Sequence, residues 1–360
     1  MKPTQALQNL GQSLWLDNIT RDLLDSGTLR RYIDELSVTG LTSNPTIFDE
    51  AIGGGAAYDE GIRTKARAGL DGEKLFLELA LEDLRRAADL FRPVFDRTGG
   101  SDGWVSMEVS PLLANDTQAT IEEALAIHRQ ANRPNLYVKI PGTAAGVPAI
   151  EAAIFAGVPV NVTLLFSREQ YLAVAEAYMR GLERRLAAGL DLHVSSVASL
   201  FVSRWDRAVG EQVPAELGNR LGIAIGRRTY RAHCDLLRTP RWSKLAAAGA
   251  RKQRMLWAST GVKDPKAPAD LYVKAFAAPQ TIDTMPEKTL LAFAEHGGAV
   301  APMPEDGGDS ETVLAQFAAA GIDVDALAAK LQVDGAQSFV KSWAELLKRI
   351  ADKGAALRAS

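Results

Sequence analysis

Leu136-Tyr137-Val138-Lys139-Ile140-Pro141-Gly142 reads as a short apolar strand carrying one lysine and stopped by proline and glycine. Strand side chains alternate faces, so Leu136, Val138 and Ile140 share one face while Tyr137 and Lys139 share the other. On an edge strand Lys139 is a solvated surface charge. If its face is instead the inside of a barrel, burial disfavours the ammonium form and leaves the amine available to attack a carbonyl. The stretches on either side decide between these readings.

Working outward, the same parity recurs. In Gly103-Trp104-Val105-Ser106-Met107-Glu108-Val109-Ser110-Pro111 the apolar Val105, Met107 and Val109 oppose Ser106 and Glu108, and in Pro159–Phe166 Val160, Val162 and Leu164 oppose Asn161 and Thr163. Towards the amino terminus, Leu14–Ile19 sets Leu14 and Leu16 against Trp15 and Asp17, and a strand end or turn follows at Gly40–Pro45, where Asn44 precedes proline. Towards the carboxyl terminus, strands are expected at His193–Phe201, Arg254–Gly261 and Leu271–Ala277. Helical spacing fills the gaps, for example over 21–36, 47–95 with breaks at Gly53-Gly54-Gly55 and Asp71-Gly72, 117–131, 146–156, 167–188, much of 213–237, and 239–249, with Thr20, Asp116 or Thr117, and Ser167 available as caps.

Eight strands separated by helices predict a parallel sheet with right-handed crossovers, closed into an α/β (β/α)8 TIM barrel. An open doubly wound sheet is the competing arrangement. The barrel is preferred because strand after strand turns an apolar face outward and ends in an inward polar residue, the place where barrel enzymes collect their chemistry. The expected organisation is one domain over residues 1–360, with a leading helix at 1–12 and additional helices at about 305–360. In the last of these Phe339, Trp343, Leu346, Leu347 and Ile350 form an apolar stripe suited to packing on the barrel or to closing over it.

Composition sets limits on function. The chain has 360 residues, is 47% hydrophobic and carries a net charge of -3, which indicates neither a nucleic-acid footprint nor a basic membrane-facing surface. One cysteine, Cys234, excludes an intramolecular disulfide, and the first residues lack a secretory pattern, so the cytoplasm is the expected compartment. His128, His193, His233 and His296 lack metal-ligand spacing, and Gly53-Gly54-Gly55 is not followed by the GK[ST] of a phosphate loop, so no metal is expected. The expected partners are small molecules, with no nucleic acid and no membrane; the oligomeric state is left open.

The inward residues near the strand ends are Asp17, Asn44, Glu108, Lys139, Asn161, Thr163 and Ser199. Together they offer an amine nucleophile, two carboxyl groups for proton transfer, and neutral hydrogen-bonding groups suited to a polyhydroxylated substrate. A structural ion pair between the lysine and a carboxylate is the plain alternative.

The strings WLDNI (15–19), TSNPTIF (42–48), MEVSPLLANDT (107–117), LYVKIPGT (136–143), NVTLLFS (161–167), SLFVSRWD (199–206), LWASTGVKDP (256–265) and TIDTMPE (281–287) together resemble the transaldolase family, particularly its longer bacterial form, over nearly the whole chain. The resemblance implies a class I aldolase barrel without metal or organic cofactor. Such an enzyme moves a dihydroxyacetone unit from sedoheptulose 7-phosphate to glyceraldehyde 3-phosphate, giving erythrose 4-phosphate and fructose 6-phosphate, in the pentose phosphate pathway. By resemblance, Lys139 is the Schiff-base lysine, Asp17 the acid/base at the carbon-carbon bond, and Glu108 with Thr163 the pair that handles a catalytic water. Asn44, Asn161 and Ser199 resemble the groups that hold the dihydroxyacetone hydroxyls. Arg204 resembles the phosphate-binding arginine, with Ser259 assisting, and Lys263 stands near a second arginine of shorter members.

A related activity on this barrel, fructose 6-phosphate aldolase, releases dihydroxyacetone instead of transferring it. That pattern resembles a glutamine in place of Glu108 and a tyrosine in place of Phe201, so this chain follows the transferase. A non-catalytic sugar-phosphate-binding barrel would be expected to lack part of the Lys139, Asp17 and Glu108 set, which is intact here.

Overall fold

The computed structural model describes residues 2–359, with side chains through Leu357. Met1 and Ser360, the ends of the expected domain, lie outside the described residues, as does the first residue of the expected leading helix, which runs Pro3–Leu10. Eight strands follow: β1 (Ser13–Asp17), β2 (Val38–Thr42), β3 (Val105–Glu108), β4 (Leu136–Pro141), β5 (Val160–Leu165), β6 (Ser196–Phe201), β7 (Arg254–Ala258) and β8 (Ile282–Met285). Helices connect them, and the hydrogen-bonded order is β2-β1-β8-β7-β6-β5-β4-β3, parallel throughout. This is the (β/α)8 barrel.

The seam between β2 and β3 is closed by few bonds. Gly103 N donates to Thr39 O at 3.0 Å, Leu41 N to Trp104 O at 3.0 Å, and Ser43 Oγ to Ser106 O at 2.8 Å. Gly40 makes this approach possible: a Cβ there would lie 2.6 Å from Trp104 O and 2.7 Å from the Trp15 indole.

Strand parity separates two cores. Leu14, Leu16, Val138, Ile140, Val160 and Val162 face outward into a layer shared with the helices. Trp15, Trp104, Tyr137, Val197, Leu256 and Ile282 face inward and fill the barrel. Trp104 stacks on Tyr137 with ring centroids 4.0 Å apart, and Trp15 lies 6.2 Å from Tyr137. This aromatic layer is a floor beneath the carboxyl ends of the strands.

The expected eighth strand is corrected. Leu271–Ala275 is a helix, and β8 is the four-residue segment Ile282-Asp283-Thr284-Met285. Tyr and Val in 271–277 suggest β structure, but the buried residues are Tyr272, Val273, Phe276 and Ala277, the i, i+1, i+4, i+5 spacing of a helical face, and Phe276 stacks on Trp257 at 4.7 Å. In β8 Asp283 and Thr284 hide the strand, because β-propensity yields to pairing with β1 and β7 on both sides.

The carboxyl-terminal segment forms two helices, Ser310–Ala319 and Val324–Ala359. The second packs Trp343, Leu346 and Ile350 of its stripe against the helices Pro45–Gly53, Asp59–Arg67 and Gly72–Arg97, while Phe339 joins the inner cluster. Trp343 meets Phe76 edge-on at 5.0 Å and donates to Glu73 Oε1 at 3.1 Å, while Arg349 pairs with Asp49 at 2.7 Å. No single helix among the described residues is long and apolar enough to cross a membrane.

Candidate active site

Parallel register builds the site. Glu108 on β3 stands opposite Lys139 on β4, and Lys139 stands opposite Asn161 on β5, so three inward polar side chains form one row across the barrel mouth. Pro141 opposite Thr163 places the threonine one step higher. Across the barrel, Asp17 ends β1 opposite Thr42 of β2.

Lys139 is 5% exposed. Its Nζ donates to Glu108 Oε2 at 3.1 Å and to the Ser43 carbonyl at 3.0 Å, so the amine is held by two of its possible three bonds. Burial raises the Glu108 carboxyl above its ordinary value of 4.5, and the attraction of Lys139 opposes that rise. Glu108 Oε1 and Thr163 Oγ1 have no hydrogen-bond partner among the described residues. Two buried polar atoms of opposite hydrogen-bonding capacity therefore face the lysine region with capacity to spare.

Burial also raises Asp17 above 3.8; the hydrogen bond from Thr42 Oγ1 at 2.7 Å and the positive charges of Lys139 and Lys263 pull the other way. Thr42 in turn shares a 2.7 Å hydrogen bond with Thr284 of β8. The carboxyl is thus oriented by a short chain of hydroxyls and is easier to protonate than a surface aspartate.

The cavity above the row has a volume of about 140 Å³. Asp17, Asn44, Lys139, Thr163, Ser199, Phe201, Arg204, Ser259 and Lys263 line it, which brings together nine of the residues expected from sequence. Glu108 and Asn161 do not line it. Glu108 reaches the cavity through Lys139, whereas Asn161 is tied below it, donating to Ser106 Oγ at 3.1 Å and accepting from Ser199 Oγ at 2.7 Å. Asn44 caps the helix Pro45–Gly53 by accepting from Ile47 N at 3.1 Å, which explains both its position before proline and its place at the rim.

Arg204 opens the helix Ser203–Val209 and lies between two rings, 5.1 Å from Phe201 and 5.9 Å from Phe339. Burial and the neighbouring Arg207 lower its pKa, with Glu108 opposing. Neither Arg204 nor Lys263 makes an ion pair with the described carboxylates, so the rim carries two unpaired cations. Ser259, at φ 58°, shares a hydrogen bond with Ser203 at 2.9 Å.

Sequence reasoning missed Thr42, Ser106, Thr284 and Phe339. Ser106 was visible as an inward polar residue, and Thr42 as the register partner of a β1 carboxylate; Thr284 was hidden with its strand. Phe339 comes from a helix remote in sequence, and its ring lies 5.8 Å from Lys139 Nζ. That helix is anchored by Gln332, whose amide donates to Gly142 O and Leu164 O, each at 3.0 Å, where β4 and β5 end. Leu164 has φ 58°, a costly conformation for a leucine, at the irregularity that follows Thr163.

Residues 14–350 match the model of the Transaldolase/Fructose-6-phosphate aldolase family. A protein of Parafrankia sp. (strain EAN1pec) named transaldolase is 44% identical, the alignment covering 98% of both chains. A transaldolase of Thiobacillus denitrificans is 44% identical over 97% of this chain and all of its own. A third, of Neisseria gonorrhoeae, is 42% identical over 94% of this chain and 96% of its own.

Proposed function

The chain belongs to the transaldolase/fructose-6-phosphate aldolase family and has transaldolase activity, the transfer of dihydroxyacetone units, and from that premise we propose that it works through a Schiff base on Lys139. The observation that carries this reading is the buried lysine with Glu108 at 3.1 Å and the free atoms of Glu108 and Thr163 beside it. The substrates are sugar phosphates, with sedoheptulose 7-phosphate as donor and glyceraldehyde 3-phosphate as acceptor, and one barrel domain carries the whole reaction.

In this mechanism the neutral Lys139 amine attacks the ketose C2 carbonyl and forms a carbinolamine. Loss of water gives the iminium, with Glu108 and Thr163 holding the water that leaves and later returns. Asp17 accepts the proton of the C4 hydroxyl, the C3–C4 bond breaks, and its electron pair moves into the iminium to give an enamine. The aldehyde departs while the three-carbon unit stays bound to Lys139. An acceptor aldehyde then takes the enamine carbon, Asp17 returns its proton, and hydrolysis frees the new ketose. Asn44 and Ser199 hold the hydroxyls of the bound unit, Asn161 orients Ser199 from beneath the cavity, Phe201 walls the site, and Arg204, Ser259 and Lys263 bind the phosphate.

Borohydride reduction in the presence of fructose 6-phosphate, followed by peptide mass mapping, tests the proposal. A dihydroxyacetone-derived adduct on Lys139 is expected, with none in Lys139→Ala. Asp17→Ala should lose carbon-carbon cleavage by at least about a hundredfold, the usual weight of positioned acid/base catalysis, more than it loses imine formation. An adduct on another lysine sinks the mechanism.

A further inference from the structure

At the amino ends of the strands, opposite the catalytic mouth, lies a second and larger cavity of about 500 Å³. It is lined by Arg97, Arg251, Lys252 and Arg254, with Asp102 as its one acidic side chain. Asp102 is already engaged: it accepts from Trp15 Nε1 and Gly103 N, each at 2.9 Å, and from Ser13 Oγ. Arg254 donates to the carbonyls of Ser101, Gln280 and Thr281 at 2.8–3.1 Å and to Ser13 Oγ at 2.7 Å, and Arg251 donates to Gly100 O at 2.8 Å, to Gly99 O at 2.5 Å and to Ser195 Oγ at 3.2 Å. These bonds fix two guanidinium groups in place without neutralising them. Arg97 and Lys252 make no hydrogen bond or ion pair among the described residues.

Many surface arginines of this chain have carboxylate partners, including Arg180, Arg228 and Arg241. The cavity therefore concentrates positive charge in a molecule whose net charge is -3. Burial, and then the charge of Arg254, push the Lys252 pKa down. Tyr137 is 3% exposed and already stacked on Trp104, so it offers little ring surface to a base.

We propose that this cavity is a binding site for a small polyanion carrying phosphate groups, at the opposite end of the barrel from the substrate phosphate. Arg251 and Arg254 supply fixed positive charge, Arg97 and Lys252 supply uncommitted donors for phosphate oxygens, and the volume falls within the range of small-molecule sites. Recognition is by charge and hydrogen bonding, without stacking of a base.

Isothermal titration of the full chain with inorganic pyrophosphate tests this, using the double variant Arg204→Ala and Lys263→Ala as the background, so that both cations of the substrate phosphate site are removed. Pyrophosphate should bind this background variant, more weakly as salt is raised. The added pair Arg97→Met and Lys252→Met should weaken binding at least tenfold, and in the wild-type background the same pair should leave transaldolase turnover unchanged. Each single substitution of the added pair, which keeps an apolar stem, provides the same comparison if the variant carrying both does not fold. The proposal is overturned if the background variant does not bind pyrophosphate, if the cavity substitutions leave binding unaltered, or if citrate binds where pyrophosphate does not.

Discussion

At Asp17, burial and hydrogen bonding act against each other. Lys139 is held by one carboxylate and one carbonyl, and Asp17 is raised by burial but restrained by Thr42. Asp17 must be ionised to accept a proton, so kcat/KM should fall as pH drops through its raised pKa. Thr42→Val removes a hydrogen bond that favours the ionised form and should move this acid limb upward by about one pH unit, the equivalent of a hydrogen bond worth about 1.4 kcal/mol; a pH profile of kcat/KM reads it. An unmoved limb would count against Asp17 as the base. Asp283 behaves differently, because it is buried outside the cavity with Oδ2 unpartnered and only Thr260 donating to it, at 3.0 Å. Burial raises its pKa from 3.8 to about 7. Between those values the folded chain holds a proton that the unfolded chain releases, so this group's stabilisation is present at acid pH and lost as pH rises towards 7. Asp283→Asn removes that dependence, and its melting temperature should decline less between pH 5 and 8 than that of the unsubstituted protein.

Among the elements, the helix Val324–Ala359 joins the scaffold to the site. Gln332 bonds the ends of β4 and β5, and two turns later Phe339 stands over Lys139 and beside Arg204. Gln332→Ala leaves two carbonyls without this donor, one of them at the strained Leu164. It should cost about 1–2 kcal/mol of stability and lower kcat/KM about tenfold while leaving borohydride trapping on Lys139 intact. Urea denaturation and steady-state kinetics check the two parts. The segments Leu271–Ala275 and Ile282–Met285 show how an element is decided by its surroundings: a β-like sequence packs as a helix on Trp257, and a polar one pairs as β8 between two strands.

For the whole molecule, closure is the decisive event, because an open sheet would leave the β2 and β3 edges unpaired and separate Asp17 from Glu108. Gly40→Ala puts a methyl group 2.6 Å from Trp104 O at the seam; a loss of about 1–3 kcal/mol is expected from such overpacking, measured by urea denaturation. The local sequence determined much of this protein. Alternating polarity assigned Lys139, Glu108, Asn161, Thr163 and Asp17 to one face, since strand parity is a property of the chain itself. Repetition of that pattern between helices predicted the barrel. Only the tertiary structure decided the rest. Thr284 enters the site through a strand recognisable by its pairing, Asn161 is drawn beneath the cavity by Ser106 and Ser199, and Phe339 arrives from a helix two hundred residues after Lys139. Arg251, Lys252 and Arg254 are neighbours in the chain at the start of β7; only the folded barrel sets Arg97, from the end of the helix Gly72–Arg97, beside them around one cavity.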